Sequence, residues 1–417
     1  MTMQSSIKAM SWESLAEQAI SEPERINGPT NAHANLRLFG SSEDTVRVTL
    51  YRDHHAWCPY CQKIWLWLEW KQIPYRISKV TMRCYGKKEA WFLNKVPSGM
   101  LPALELDGRL ITESDQILLA LEHAFGPLGN RLEQPHTLKL RHLERQLFRA
   151  WCQWLCTPGL SLKQEQACKE QFQVIARMME QQLKVEEGPW LDPTSNTPNS
   201  SPPGSADVVF IPYLERMNAS LAYYKGFRLR EEHPAINEWF KALEKLDVYR
   251  GTQGDIHTHA HDLPPQMGGC WVAPNQKQQE LAEAVDNGEG LADLETSWTT
   301  TNDSEPQPEL LALTRVLKHR QRLLELNPLG PLRFDQPLRA TLTRMFLGAA
   351  CMPDTDSAPG LRYLRDRISV PRDMPLIAAR RLRQALEQTA QLDGAELGPP
   401  LSIHNRFDQN PVPFLTM

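Results

Sequence analysis

Cys58, Pro59, Tyr60 and Cys61 form a CxxC that follows closely on the alternating, β-branched run 46–51 and precedes Ile64, Trp65, Leu68 and Ile73 at helical spacing. That context reads as a strand-to-helix turn. A thiol in the first turn of a helix faces unpaired N–H groups and the positive end of the macrodipole, and both favour its thiolate. Cys58 is therefore expected to ionise at neutral pH and to serve as a nucleophile in redox or thiol-transfer chemistry. Cys61, one turn further on, reads either as a resolving thiol or as a packed core thiol. No second CxxC completes a four-thiolate zinc site, so no metal is expected.

Such a thiol needs a sheet beneath it and a wall beside it, and the chain is long enough for both. With 417 residues it exceeds a single core, and its net charge of −4 argues against nucleic acid as a partner. No run of about 18 apolar residues is present, so no membrane partner is expected. The start of the chain lacks both a lipophilic signal core and an Arg-rich, acid-poor transit composition. The eight cysteines are scattered rather than arranged as a disulfide framework, which fits a reducing compartment. A soluble cytoplasmic protein is the expectation.

Four segments are read along the chain. Residues 1–45 are an N-terminal extension, a packing arm with one amphipathic stretch at 12–20. Residues 46–125 run strand, helix, strand near 75–77, an irregular stretch with Trp91 and Phe92, strand 101–106, turn Asp107-Gly108, strand 109–112 and helix 114–125. This is a βαβ unit followed by ββα. Residues 126–270 read as all-helical, with Leu140, Leu143, Leu147, Trp151 and Leu155 on one face, although 252–270 shows little regular pattern. Residues 271–417 read as a further mostly helical C-terminal extension with a polar loop at 273–307.

The order of a thiol helix, Leu101-Pro102 before a strand, and Glu113-Ser114 opening a helix resembles the glutathione transferases. The resemblance implies an α/β thioredoxin-like domain at 46–125 that binds glutathione as co-substrate, then an all-α domain at 126–270. A cysteine at the activating position resembles the omega, lambda and dehydroascorbate-reductase classes, and CPYC resembles the dithiol glutaredoxins. Segments 27–30, 36–39, 223–226 and 257–270 resemble the iota class of cyanobacteria and algae, which also carries a C-terminal extension. By that resemblance Leu101, before a cis Pro102, pairs its main chain with the cysteinyl part of glutathione. Ser114 and its helix start take the γ-glutamyl carboxylate, and Glu113 meets the amine. Lys88 approaches the glycyl carboxylate, with Lys87 and Lys95 as alternatives.

The function so implied is that of a glutathione-dependent thiol transferase or reductase, acting through a Cys58 mixed disulfide. Deglutathionylation and reduction of dehydroascorbate or mixed disulfides are the expected reactions. Partners are then glutathione, small disulfide or electrophilic substrates and glutathionylated proteins, with a homodimer left open. One alternative is glutathionyl-quinone reduction of the xi type, although those proteins typically pair Cys-Pro with Trp-Ala where this chain has Tyr60-Cys61. Another is a non-catalytic ligand-binding or scaffold protein on the same fold.

Several motifs have plainer readings. Glu113 and Ser114 alone could be a helix-capping pair. Asp207 suits a structural capping box left incomplete by Gly204. Cys152 and Cys156 read as ordinary core thiols, and Trp65, Trp67 and Trp70 as the domain interface. His257, His259 and His261 would share one side of a strand and could ligate a metal there. With no strand expected, they read as part of a hydrogen-bonded connector. The basic run 318–322 reads as a solvated helix face.

Overall fold

The computed structural model describes residues 7–185, 188–192, 202–296, 307–394 and 405–415. The N-terminal arm holds a short helix, α1 (Trp12–Ala16), capped by the Ser11 hydroxyl on the Ser14 N–H at 3.2 Å. The arm then contributes an edge strand, β1 (Leu36–Arg37), so the sheet begins inside the segment read as an extension. β2 (Val48–Asp53), α2 (Pro59–Trp70) and β3 (Tyr75–Val80) form a parallel unit with Leu50 opposite Ile77. After α3 (Ala90–Lys95), β4 (Ala103–Leu106) and β5 (Arg109–Thr112) make a hairpin, and α4 (Ser114–Phe125) follows. Spatial order is β1-β3-β2-β4-β5, with the β2–β3 pair parallel and the others antiparallel. Asp107 and Gly108 turn the hairpin with φ of 51° and 79°, the doubly positive geometry that a two-residue Asp-Gly turn favours. The strand expected from residue 101 starts at Ala103, since Pro102 has no N–H to give a ladder.

The helical domain comprises α5 (Pro135–Cys156), α6 (Leu162–Val185), α7 (Ser205–Lys225), α8 (Leu229–Glu232), α9 (Pro234–Leu243), α10 (Asp247–Thr252) and α11 (Ile256–Met267). A single apolar core passes from the sheet layer into these helices, joining Leu50, Ile64 and Trp65 to Leu147, Trp151 and Trp239. Trp67 is buried in the same core and Trp70 packs on its margin.

Residues 252–270 are not irregular: most of them form α11. Pro264 and Pro265 and a His/Thr-rich start hide it, because all are poor helix formers. The Asp255 side chain caps it, accepting the Thr258 N–H at 2.9 Å. Pro264 cannot bond the carbonyl of Ala260 one turn back, and the Tyr224 hydroxyl donates to that carbonyl instead, at 2.7 Å. Burial rather than propensity makes this helix.

The stretch 273–307, read as a polar loop, likewise contains α12 (Gln276–Asp286). Asn275 accepts the Gln278 N–H at 2.9 Å to cap it, and Leu281 and Val285 pack on Ala219 and Ala222 of α7. Residues 297–306 of that stretch, and 193–201 of the Pro/Ser-rich loop before α7, lie outside the described residues.

The extension continues with α13 (Pro308–Leu326), α14 (Gly330–Leu347), α15 (Ala358–Arg365), α16 (Leu376–Asp393) and α17 (Val412–Leu415). Leu313, Phe334, Leu338, Leu361, Leu382 and Leu386 form a second core, and Leu15 of α1 completes it. The Trp12 indole N–H donates to Asp335 Oδ1 at 2.6 Å, so the first helix of the chain packs with the last ones. No helix among the described residues is long and apolar enough to cross a membrane.

Candidate active site

Residues 54–58 connect β2 to α2, and Cys58 is the N-cap residue, with φ −70° and ψ 117°. Pro59 follows at the first helical position, where its fixed φ suits the helix and its missing N–H costs nothing. Cys58 Sγ lies 3.9 Å from the carbonyl oxygen of Leu101, and the Leu101–Pro102 bond is cis. Cys58 is only 7% exposed, but it lines a cavity of about 1230 Å3. Cys61 is 1% exposed and does not line that cavity. Burial, followed by its hydrogen bond to the Cys58 thiol, pushes the Cys61 thiol well up. The two cysteines are thus unequal by placement: one faces the cavity, the other stays protonated in the core.

Two groups that sequence reasoning missed hold the loop. Asp53 is fully buried at the end of β2, and its Oδ2 accepts the Trp57 N–H at 2.7 Å. Its Oδ1 has no hydrogen-bond partner among the described residues. An Asp53 oxygen and both thiols lie within 4.8 Å of one another, three donors where tetrahedral zinc takes four. A lone aspartate five residues before a CxxC forms no motif, so only the folded strand end discloses it. Arg216 of α7 is 1% exposed and donates to the Trp57 carbonyl at 2.5 Å, the Pro212 carbonyl at 2.6 Å and Gln62 Oε1 at 3.0 Å. The Gln62 amide in turn donates to Glu215 at 3.1 Å and to the Thr252 carbonyl at 3.2 Å. A buried polar bolt therefore runs from the helical domain to the residue before the thiol. Among the other loop residues, His55 is fully buried between the Trp57 and Tyr85 rings, at 4.6 and 4.3 Å between centroids, and burial holds its pKa well down.

Of the residues expected to hold glutathione, Lys88 and Leu101 line the same cavity as Cys58, and Lys87 joins them. Lys88 Nζ donates to the Thr81 carbonyl at 3.1 Å, and burial lowers its pKa. Lys95 instead pairs with Glu105. Among the described residues the Leu101 N–H has no protein acceptor, which leaves it available to an extended peptide. Pro102, Glu113 and Ser114 do not line the cavity. Ala103 pairs with Thr112, so Pro102 and the Glu113-Ser114 pair nonetheless flank one end of the β4–β5 ladder. Glu113 is exposed, with a left-handed φ of 66° and no side-chain cap bond, and Ser114 is buried. Beside Ser114, Asp115 binds Lys63 of α2 at 2.8 Å and Arg141 of α5 at 3.3 Å. Those two cations add positive charge to the α4 N-terminus and were not foreseen from sequence.

The opposite wall is aromatic. Tyr60, Phe148, Trp151 and Tyr213 line it, with the Tyr60 and Phe148 rings 5.9 and 5.2 Å from Tyr213. Asn405 and Phe407 of the extension also line the cavity, because the Arg406 N–H is bonded to the Cys84 carbonyl at 2.7 Å. Spacing within the sequence could not show that the chain end returns to the thiol.

Other motifs serve packing. On α11 the three histidines do not share one side: His257 and His261 lie together with ring centroids 4.5 Å apart, His261 bonding the His257 carbonyl at 2.8 Å and Asp286 at 3.0 Å, while His259 turns to Glu215 at 3.2 Å. Asp207 accepts N–H groups of Leu191 at 2.9 Å, Asp192 at 3.1 Å and Gly204 at 3.2 Å, and the Trp239 indole at 2.7 Å. Burial pushes its carboxyl up to about 6. Gly204 supplies no side chain for the reciprocal bond, leaving half of a capping box. Cys152 is half-buried, and the Cys156 thiol is hydrogen-bonded to Cys270.

Residues 57–124 match the family described as Glutathione S-transferase, N-terminal domain. The fold is accordingly the thioredoxin-like domain of that family followed by a helical region. The chain is 24% identical to Glutathione S-transferase DHAR2 of Arabidopsis thaliana over 47% of this chain and 84% of that protein. It is 26% identical to Glutathione S-transferase L3 of the same plant over 48% of this chain and 79% of that one. A dehydroascorbate reductase structure from Chlamydomonas reinhardtii superposes with a TM-score of 0.42 at 19% identity, covering 50% of this chain and 93% of that one.

Proposed function

We propose that the protein is a glutathione-dependent thiol transferase or reductase whose nucleophile is Cys58. The observation that carries this reading is the placement of one thiol at a helix start on a cavity of about 1230 Å3, with the second thiol of the CxxC shut in the core. The Cys58 thiolate attacks the glutathione sulfur of a mixed disulfide, the S–S bond breaks, and the substrate leaves as its thiolate. Glutathione thiolate then attacks the Cys58–glutathione disulfide, releasing oxidised glutathione and restoring Cys58. In this scheme the Leu101 main chain pairs with the cysteinyl part of glutathione, Ser114 and the α4 start bind its γ-glutamyl carboxylate, Glu113 meets its amine, and Lys88 or Lys87 its glycyl carboxylate. The aromatic wall of Tyr60, Phe148 and Tyr213 receives the second substrate. Similarity to proteins named as glutathione S-transferases supports the co-substrate.

Turnover of a small glutathione mixed disulfide and of dehydroascorbate, measured for Cys58→Ser and Cys61→Ser together with the mass of the trapped adduct, tests the scheme. Loss of both activities and of a one-glutathione adduct in Cys58→Ser alone is the expected result. Full turnover without Cys58 would sink it.

A further inference from the structure

A second cavity, of about 260 Å3, lies between the sheet and the C-terminal extension and shares no lining residue with the first. Its sheet side carries His33, His54 and Lys79; its extension side carries Arg315, Arg367 and Arg372. The arginines are answered within the protein. Arg372 binds Asp373 at 2.7 Å, Arg367 binds Asp408 at 2.8 Å, and Arg315 pairs with Glu22. Lys79 is not. Its ammonium donates to the His33 carbonyl at 2.9 Å, and among the described residues no carboxylate pairs with it. Burial and then the charges of Arg52, Arg25 and Arg315 pull its pKa down to about 6, and burial takes His54 down to about 4. The rest of the wall is mostly apolar, with Leu323, Leu326, Leu364, Leu382 and Phe414 along it, and is interrupted by His319, Asn327, Gln409 and Asn410 and by the arginine-bound Asp373 and Asp408.

With its pKa lowered to about 6, Lys79 is mostly neutral in the empty cavity at pH 7, and a carboxylate brought beside it would favour the return of its proton. A well-packed apolar residue there would be better for stability alone. We propose that this cavity binds an amphipathic monoanion, a carboxylate on an apolar body, with the carboxylate on Lys79 and the body along the leucines of α13, α15 and α16. Each half of the site excludes a simpler ligand. A neutral apolar molecule would make no ion pair with Lys79, whereas a small hydrated anion would leave the leucines uncovered. The ligand would bridge the sheet and the extension next to the thiol loop, since Arg372 also lies 5.2 Å over the Trp57 ring. This inference does not depend on the chemistry assigned to Cys58.

Titration calorimetry and thermal denaturation of the full chain with decanoate, methyl decanoate and acetate test it, using the wild type, Lys79→Met and Lys79→Arg. Decanoate is expected to bind the wild type and raise its Tm. The ester, the acetate and the Lys79→Met chain with decanoate should each bind at least about tenfold more weakly, the scale of one charge-assisted hydrogen bond. Lys79→Arg should keep most of the affinity, and ligand-free Lys79→Met should melt higher than the wild type. Absence of decanoate binding, equal binding of the ester, or undiminished binding to Lys79→Met would overturn the proposal. A lower Tm for ligand-free Lys79→Met would show that Lys79 is answered within the protein and would overturn it equally.

Discussion

The thiol-bearing half of the molecule and the C-terminal extension each rest on a buried arginine, but the two arginines are answered differently. Arg216 spends its donors on loop and helix carbonyls and on Gln62, and its nearest carboxylate, Glu215, lies 3.9 Å away. Arg383 of α16 is paired directly with Asp255, the cap residue of α11, and donates to the Ile368 carbonyl at 2.7 Å. The second arrangement is a closed ion pair that fastens the extension to the helical domain. The first leaves a cation directed at the backbone next to Cys58. Similar burial therefore serves attachment in one place and positioning of the loop that carries Cys58 in the other.

The largest expected effect is at the thiol itself: Cys58→Ser should lower mixed-disulfide turnover by at least about 10³-fold with little change in Tm. Next come the arginines, where Met is expected to destabilise by about 3 kcal/mol in each case because a buried partner is left unpaired. The comparison requires a split in readout. Arg216→Met should also change the rate at which Cys58 is alkylated, whereas Arg383→Met should expose the extension to limited proteolysis and leave that rate unchanged. Equal effects on alkylation would break the distinction.

A smaller, pH-dependent effect is expected from Asp207 in the same helix as Arg216. Its folded pKa of about 6 lies above the ordinary aspartate value, so the folded chain holds a proton that the unfolded chain releases. The associated stability is present below about pH 4 and lost as pH rises through about 6, an amount of about 2–3 kcal/mol. Denaturation midpoints for the wild type and Asp207→Asn between pH 4 and 7 check this, and an unchanged slope in the variant would assign the effect elsewhere. The smallest effect belongs to Cys61→Ser, which should alter turnover by no more than about threefold if, as in the proposed scheme, glutathione rather than a second cysteine resolves the adduct.

The elements that carry Cys58 were legible because their signals are local. Alternation in β2, the Asp107-Gly108 turn and the apolar spacing of α2 and α4 each lie within about one element's length. The polar loop read at 273–307 and the irregular stretch at 252–270 failed for the opposite reason. α12 is rich in helix formers but has few apolar residues to mark a helical period, and α11 contains two prolines that lower its propensity; both are held by contact with α7.

By itself, then, the sequence determined a CxxC at a strand-to-helix turn, the sheet under it and the helical wall beside it, since each follows from residue type and short-range spacing. Tertiary structure decided which cysteine meets the cavity, because exposure depends on what packs against α2. It also decided that Asp53 and Arg216 brace the thiol loop, that α1 joins the core of α13 to α16, and that Asn405 and Phe407 close on the Cys58 cavity. These arrangements bring together residues about 350 positions apart, as where Cys58 and Phe407 line one cavity, and only the folded chain does so.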